Sequence, residues 1–585
     1  MRSRHALIAA ALAVLTAAGP ARAAGPIPQG AGAGTVPEFT GEAATPSPVR
    51  APEPPRHPHM APNARSNIHD DAYQTDTYQG YGPLGRGGIA SASAFFGSEC
   101  ASITFDARGR LVTVCVGLAG PTLRMLDPRT LDELASFALP PRQPDSGDPF
   151  TNFAGGGYFY LDDRDRAVIP TTTRHLLVVA ERADGAPGFV QAADYDLTAA
   201  VPQGDQVISA LPDWSGRLWF ATKRGVVGTV EPTSGAVRAI SLREPIGNSF
   251  AVDETGGVFI VSDAALYRLD AGAGGTPAVT WRETYANTGV VKPGQTEAGS
   301  GTTPTLMGRD LVAITDNADP MHVVVLKRAA KVAGRRLVCA EPVFDKGASD
   351  TDQSLIATDR AIVAENNYGY SSPLATENGR STTGGLQRVD VDAGHTGCRT
   401  VWRSPEHAPS AVPKLSLAAG LVYTYTKEPR ADGQDAWYLT AIDFHTGRTV
   451  FRRLGGGGLG FNNNYAPVTL GPDGTAYLGV LGGAVLWRDR EPLPAPPAGR
   501  ARPRLALRVT CAPGGARRLR LTGPDVPAVR RVAFTKDRRR FASDRRPPFA
   551  ATVHRTRARR AGVHVLLRDG RRLRLARRMP ACGRA

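Results

Sequence analysis

The sequence predicts an all-β chain, and three observations carry that prediction. Between Ile103 and Asp489 a short apolar strand runs into a tight polar turn and back out along a second strand, eight times over. The units recur every 40 to 60 residues or so, the period of four-stranded sheets arrayed around an axis. No long segment holds an apolar period of 3.6 residues, so helix should be sparse. We therefore expect a β-propeller of eight blades, with seven as the alternative count, followed by a small β-sandwich.

The chain opens on Arg2, Arg4 and His5, an apolar run from Ala6 to Ala18 and the small-residue site Ala21-Arg22-Ala23. That order reads as a secretory signal over residues 1–23, and the run is too short to span a bilayer. Residues 24–64 are rich in Pro, Gly and Ala and are expected to form a flexible lead. No later stretch is apolar enough for a transmembrane segment. The expected location is outside the cytoplasm: secreted, periplasmic or on the cell envelope.

The propeller is expected over residues 65–490. Its first strands end at Asp106, Asp162, Asp213, Asp253, Met307, Asp359, Ala418 and Asp473. Turns such as Asp106-Ala-Arg-Gly109 and Asp253-Glu-Thr-Gly256 follow, where Asp closes an Asx turn and Gly accepts positive φ. Second strands such as Leu111-Val-Thr-Val and Leu218-Trp-Phe-Ala alternate or carry β-branched and aromatic residues. Third strands include Leu123-Arg-Met-Leu, Asp194-Tyr-Asp-Leu197 and Ala484-Val-Leu-Trp487. The last unit supplies only three strands, so Gly88-Ile-Ala-Ser-Ala-Ser93 is expected to complete it and remove an exposed edge.

Six cysteines in an exported chain read as disulfides. Neighbour pairing joins Cys100 with Cys115, Cys339 with Cys398, and Cys511 with Cys582. No C-x-x-C occurs and His is scarce nearby, which argues against zinc.

In a propeller the loop entering each first strand and the loop from second to third strand share one rim. On it the sequence places Asn248, Glu297, Lys414 and Asn463, the last within the stretch Asn462 to Tyr465, before first strands, and Lys223, Arg224, Asp316, Asn317, Asp319, Glu365, Asn366 and Asn367 after second strands. Three chemistries suit that set. Asp316, Asp319 and Glu365 would be oxygen ligands for Ca²⁺. Glu297, Asp316, Glu365 and Lys414 would supply an acid, a base or an electrophile. Asn248, Asn317, Asn366, Asn367 and Asn463, with Lys223 and Arg224, would bind a small polar ligand or sugar. Upstream, Asn67-Ile-His69-Asp70-Asp71 is dense in His and acid, and His69 is expected to reach the rim as metal ligand or proton shuttle.

Gly455-Gly-Gly-Gly-Leu-Gly460 fits a dinucleotide fingerprint but leads into a strand, so it is a blade connector. No G-x-S-x-G, H-E-x-x-H or P-loop is present, which excludes the common α/β-hydrolase, zincin and NTPase signatures.

Ala441-Ile-Asp443-Phe-His-Thr-Gly447-Arg-Thr-Val-Phe451, Arg388-Val-Asp-Val-Asp392 leading through Gly397 to Trp402, and Leu269-Asp270 leading to Trp281 resemble the A-x-D-x-x-T-G-x-x-x-W repeat of eight-bladed PQQ-like propellers, the quinoprotein alcohol dehydrogenase-like superfamily. The resemblance covers most of Ser102 to Asp489. It implies the fold, and as an alternative function a PQQ- or metal-dependent oxidoreductase, lyase or lactonase. Trp stands at the docking place in two units and the adjacent cysteine pair of many such dehydrogenases is missing, so fold is implied more strongly than cofactor.

The tail begins after a Pro-rich linker over residues 491–503. From Ala501 onward about 25 Arg and Lys face 4 Asp, leaving roughly +21 on the tail and about −5 on the rest, for a total of +16. Residues 504–585 read as short strands bracketed by Cys511 and Cys582. The segment Ala533-Phe-Thr-Lys-Asp537 to Phe549, with a turn at Asp569-Gly570, resembles a bacterial immunoglobulin-like domain. So basic a module outside the cell is expected to associate with an anionic envelope polymer. The near absence of stacking aromatics argues against nucleic acid.

Overall fold

The computed structural model describes residues 25–30, 33–117, 120–144, 147, 151–152, 154–494, 505–523, 526–537, 539–554, 556, 558–567 and 572–582. The expected signal segment, most of the linker and the Asp569-Gly570 turn lie outside the described residues. The chain forms two compact units, Met1–Pro494 and Ala495–Ala585.

The first unit is a β-propeller, and its described residues form eight sheets, antiparallel except where Thr77–Tyr78 joins Lys414–Ser416 in parallel. Their innermost strands are Ser98–Phe105, Tyr160–Leu161, Val207–Pro212, Ala251–Val252, Thr305–Met307, Ile356–Ala357, Lys414–Ser416 and Val468–Leu470, numbered here as sheets 1 to 8. Inner strands are almost wholly buried, whereas outer ones such as Val237–Ser241 and Leu337–Pro342 alternate between half-buried and exposed. That gradient follows from stacking, because only the outermost strand of each sheet faces water on its edge. The core lies between neighbouring sheets. Tyr160 and Val168 of sheet 2, Trp219 and Phe220 of sheet 3, and Val252 and Val258 of sheet 4 belong to one apolar cluster.

The turns after the inner strands repeat one piece of chemistry. Asp106 Oδ1 accepts the amides of Arg108 and Arg110, both at 2.8 Å, and Asp162 Oδ1 those of Arg164 and Arg166, both at 2.9 Å. Asp253 Oδ1 does the same for Thr255 and Gly257 at 2.9 Å. A left-handed residue closes each turn: Gly109 at φ 79°, Gly256 at φ 90°, and Asp165 at φ 56° where sheet 2 lacks the glycine. Arg110 and Arg166 then return to Asp106 and Asp162, and Arg217 does the same to Asp213 in the corresponding turn of sheet 3.

Ile89–Phe95 pairs with Gly483–Asp489 and completes sheet 8, so the N-terminal part of the chain closes the ring. In sheet 2 the third strand is His175–Glu181, and Asp194-Tyr-Asp196 ends the outer strand Phe189–Asp196, with Leu197 just beyond it. The outer strand carries the alternation expected of the third, so the sequence pattern does not separate the two strands of this hairpin.

The lead over residues 24–64, expected to be flexible, is fastened along the ring where it is described. Phe39–Gly41 pairs with the outer strand Thr449–Gly457 of sheet 7, and the amides of Ala44, Ser47 and Val49 donate to Leu84, Ala419 and Leu417. A Pro-rich segment is already extended, so it can satisfy an open sheet edge with little further ordering.

Trp402 occupies the docking place read from the repeat. Its Nε1 donates to Phe444 O at 2.8 Å, and a Cβ on Gly447 (φ 73°) would lie 2.6 Å from its ring. The glycine of the T-G pair is there so that the indole of the preceding sheet can lie flat on the turn.

All three expected disulfides are present. Cys100 and Cys115 are directly opposed in sheet 1, and Cys339–Cys398 ties the outer strands of sheets 5 and 6. Three disulfides fit an extracellular or periplasmic location. No helix among the described residues is long and apolar enough to cross a membrane.

The second unit has a three-stranded and a four-stranded antiparallel sheet over a shared core that includes Leu507, Leu519, Val532, Phe534 and Val563.

Candidate functional site

The inner strands of a ring leave their free edges facing the axis, where unpaired backbone groups are costly to bury. The segment from Met60 to Tyr78 answers that need. It bridges to Asp162 and Tyr160 of sheet 2, and its carbonyls at Ala72, Tyr73, Thr75, Asp76 and Tyr78 accept amides from Val252, Leu306, Ala357, Leu415 and Leu417. One short stretch thus touches sheets 2, 4, 5, 6 and 7 in turn. Positive φ at Asp70, Gln74 and Asp76 gives it the required curl. Tyr73 pins it to the turn rim, hydrogen-bonded to Glu254 and to Arg328 Nη2 at 2.9 Å, while Arg328 Nη1 meets Asp253 Oδ2 at 2.7 Å.

The polar side chains of this plug form a closed network. Asp76 accepts from Lys414 Nζ, from Ser354 Oγ and, at 3.1 Å, from His69 Nδ1. Ser354 Oγ is also 2.9 Å from His69 Nδ1. Burial alone would raise the Asp76 carboxyl, but the Lys414 ammonium and His69 hold it below its ordinary value. Burial lowers His69, so its imidazole is neutral. With Nδ1 turned to Asp76 and Ser354, the lone pair falls to Nε2, which has no partner. Burial raises Asp70 well above the carboxylate range and Asp71 to about 7. The network is therefore close to one balanced ion pair, Lys414 with Asp76.

Above the plug lies an axial cavity of about 40 Å³. Ile68 and His69 contribute its floor, and its wall comes from Glu99 on the inner strand of sheet 1 and from the loops entering the inner strands: Tyr158 from sheet 2, Asn248 from sheet 4, Asp352 and Ser354 from sheet 6, and Tyr465 from sheet 8. Tyr158 donates to Asn248 Oδ1 at 2.8 Å. Asn464 Nδ2 lies 3.2 Å from both oxygens of Glu99. The loop between the strands ending at Thr284 and starting at Thr305 reaches across the same end. Thr296 donates from N and Oγ1 to Asp352 Oδ2 at 2.9 and 2.7 Å, and Tyr465 donates to Gly294 O at 3.4 Å. Asp352 Oδ1 and both oxygens of Asp350 are buried without hydrogen-bond partners. Burial first, then backbone and charge effects, leaves Asp350 at about 7 and Asp352 at about 8.

Of the residues expected on this rim, Asn248, His69 and Tyr465 reach the cavity. The other amides hold loops together. Asn317 Nδ2 donates to Asn287 and to Val290 O, Asn366 to Ala348 O, Asn367 to Pro409 O, and Asn463 to Ser410 O and Ala466 O. Lys223 pairs with Glu297 at 2.7 Å, and Arg224 gives its backbone amide to Asp205. Lys414 sits under the plug rather than in the cavity.

The expected Ca²⁺ ligands are not brought together. Asp316 accepts from His322 N and Nδ1 at 2.7 and 2.9 Å, and Asp319 from Gly347 N at 2.6 Å. Glu365 is fully buried between Thr424 and Asn367, and burial raises its carboxyl well above the ordinary value. Among the described residues no group of three or more His, Cys, Asp or Glu is placed to hold a metal ion. PQQ does not fit either: cofactor clefts run to about 300–1,000 Å³, far above the 40 Å³ here, and the plug fills the axis beneath.

Glu99, Tyr158, Asp352 and Ser354 were missed by sequence reasoning, whereas the stretch Asn462 to Tyr465 was expected on this rim. Asp350-Thr-Asp352-Gln-Ser354 precedes the inner strand of sheet 6 just as Gly247-Asn248 precedes that of sheet 4. The positional rule contained the signal, but which side chain turns to the axis was not written in it.

No family model matches the chain. An uncharacterized protein of Archaeoglobus fulgidus is 31% identical over 319 residues, covering 48% of this chain and 61% of that protein. The chain thus spans about three-fifths of that relative's length. Among solved structures, BamB from Moraxella catarrhalis gives a TM-score of 0.44 at 12% identity, over 70% of this chain and 99% of that one. A streptogramin B lyase gives 0.36 at 8%, over 68% and 97%, and the WD40 β-propeller domain of Doa1 gives 0.35 at 10%, over 57% and 90%. At such scores the sheets described above, and not the neighbours, carry the assignment of a β-propeller.

Proposed function

We propose that this is an exported β-propeller that binds a small polar ligand in its axial cavity and is held at an anionic envelope polymer by its basic, immunoglobulin-like tail. The observation that supports the ligand site is Asp352: the residue lines the cavity, and its buried Oδ1 has no hydrogen-bond partner. Buried acceptors are nearly always satisfied, and leaving one open costs about 1–3 kcal/mol. A bound molecule would recover that cost.

The acid–base alternative retains one of its named members. Asp76 orients His69, which lines the cavity and whose buried Nε2 has no partner, and this suits a group that accepts a proton or a hydrogen bond from a ligand. Glu297, Asp316, Glu365 and Lys414 do not line the cavity and are engaged elsewhere.

Filling the cavity tests the reading. Ala101 lines it and is half-buried, so Ala101→Leu adds bulk at the wall without burying charge. In ligand-detected NMR with a mixture of small alcohols, amines and carboxylic acids, saturable binding to the wild type should be lost in a folded Ala101→Leu variant. Equal binding by both proteins would place the ligand elsewhere.

A further inference from the structure

We propose that the axial cavity is built for a small organic ammonium ion, of the size of methylammonium or ethylammonium. This rests on the axial site proposed above and names its ligand class.

Two buried polar atoms on residues of the cavity wall have no hydrogen-bond partner, and with Asp352 ionised both are acceptors. Asp352 Oδ1 is buried and unpartnered, while Oδ2 is taken by Thr296. His69 is 2% exposed, and with its Nδ1 hydrogen directed to Asp76 and Ser354 its unpartnered Nε2 presents a lone pair. These two acceptors come from separate elements, the sheet 6 loop and the plug, yet both belong to the same cavity. The Tyr158 hydroxyl has spent its hydrogen on Asn248.

Nearby cations are already committed. Lys414 faces Asp76 below the floor, Lys292 donates to the carbonyls of Ala318 and Ser349, and Lys223 pairs with Glu297. No Lys or Arg lines the cavity. An anion would meet carboxyls and no cationic donor, whereas an ammonium would supply up to three N–H donors and the missing positive charge. The rest of the wall, Ile68, Val412 and the rings of Tyr158 and Tyr465, is apolar or aromatic and suits a short alkyl group. The cavity is small, about 40 Å³, well below the roughly 300–1,000 Å³ of drug-sized ligand sites, which favours an ion with a short alkyl group.

Binding must depend on pH, because the carboxyl has to ionise to meet the cation. Burial, with Asp350 and Glu297 as like charges beside it, holds Asp352 at about 8. Glu99, His69, Tyr158 and Tyr465 are the other titratable groups around the cavity, and burial raises both tyrosines so that they stay neutral. A cation bound at Asp352 therefore releases a proton, and affinity should rise between pH 6 and pH 9 by on the order of tenfold or more.

Isothermal titration of the full chain with ethylammonium, its neutral isostere ethanol, and acetate decides the matter. Ethylammonium should bind saturably, at least tenfold more tightly than ethanol or acetate, and Asp352→Asn should lower its affinity at least tenfold. Ethanol binding as well as ethylammonium, or an Asp352→Asn protein that binds unchanged, would overturn the ammonium assignment while leaving an axial site in place. Silence from all three probes in the wild type would overturn both readings. Should Asp352→Asn not fold, the pH series on the unaltered protein decides, since an affinity flat from pH 6 to 9 is incompatible with the proposal.

Discussion

Replacing Lys414 by Met removes the ammonium that sheet 7 sets against the plug while preserving most of the side chain's length. Lys414 and Asp76 are both fully buried, and Asp70 Oδ2 lies 3.6 Å from the same Nζ. Breaking a buried pair from one side costs about 3–5 kcal/mol, because the partner is left charged in a medium that solvates it poorly. An independent route gives a similar figure. The stranded Asp76 can escape by taking a proton, which for an ordinary carboxyl at pH 7 costs about 4 kcal/mol at 1.36 kcal/mol per pH unit. The expected loss for Lys414→Met at pH 7 is therefore about 4 kcal/mol, read from urea midpoints at equal m. The sign of the pH dependence follows. In the wild type the depressed Asp76 contributes stability above the unfolded carboxyl value, and loses it as pH falls through the folded one. In the variant Asp76 is raised, so its protonated form is tolerated at low pH and penalised as pH rises. The gap between the two proteins should thus narrow from pH 7 to pH 5. Lys414→Met/Asp76→Asn, which removes both charges, should recover much of the loss. A gap below about 1 kcal/mol at pH 7, or one that does not change with pH, would refute the assignment of the plug as a balanced ion pair.

Two further outcomes concern the tail. Cys511 and Cys582 are 71 residues apart, so Cys511→Ala/Cys582→Ala should destabilise the second unit by up to about 4 kcal/mol on the loop-entropy account, lowering its midpoint and leaving the propeller transition in place. A shift under about 1 kcal/mol would mean that the bridge adds little to the tail. Arg508 and Arg520 are directly opposed across neighbouring strands, Arg518 lies two residues along, and all three are exposed. Like charges so placed repel unless an anion lies between them. The triple variant to Glu should elute from phosphocellulose at markedly lower salt than the wild type, and identical elution would remove these arginines from any envelope contact.

Much of the architecture was legible because its causes are local. An aspartate that accepts the amides two and four residues later, with a left-handed residue closing the loop, makes the same turn wherever it is written, and Asp106, Asp162 and Asp253 show it. The glycine beneath Trp402 and the cysteines opposed in sheet 1 are visible for the same reason. The closing strand at Ile89–Phe95 could be inferred by counting strands, since a ring with an incomplete last sheet would leave an open edge. The third strand of sheet 2 could not, because two neighbouring hairpin strands satisfy the same pattern.

The candidate site was legible only as a region. The rule that loops entering the inner strands meet at the axis located Asn248 and pointed to the stretch that holds Asp352. It did not separate an amide that faces the axis from one that turns back to a carbonyl of its neighbour, as Asn367 and Asn463 do. Nor did it show that a Pro-rich lead would dock on sheet 7, or that Asn67 to Tyr78 would pass along five sheets and set His69 beneath Asp352. Turn chemistry and strand pattern operate within a few residues, and the sequence by itself determined those. The freedom or engagement of a buried carboxyl depends on partners hundreds of positions away: Lys414 lies 338 residues from Asp76 and Ser354 lies 285 from His69. Only the tertiary structure decided which acceptors the protein satisfies itself and which it leaves open to a ligand.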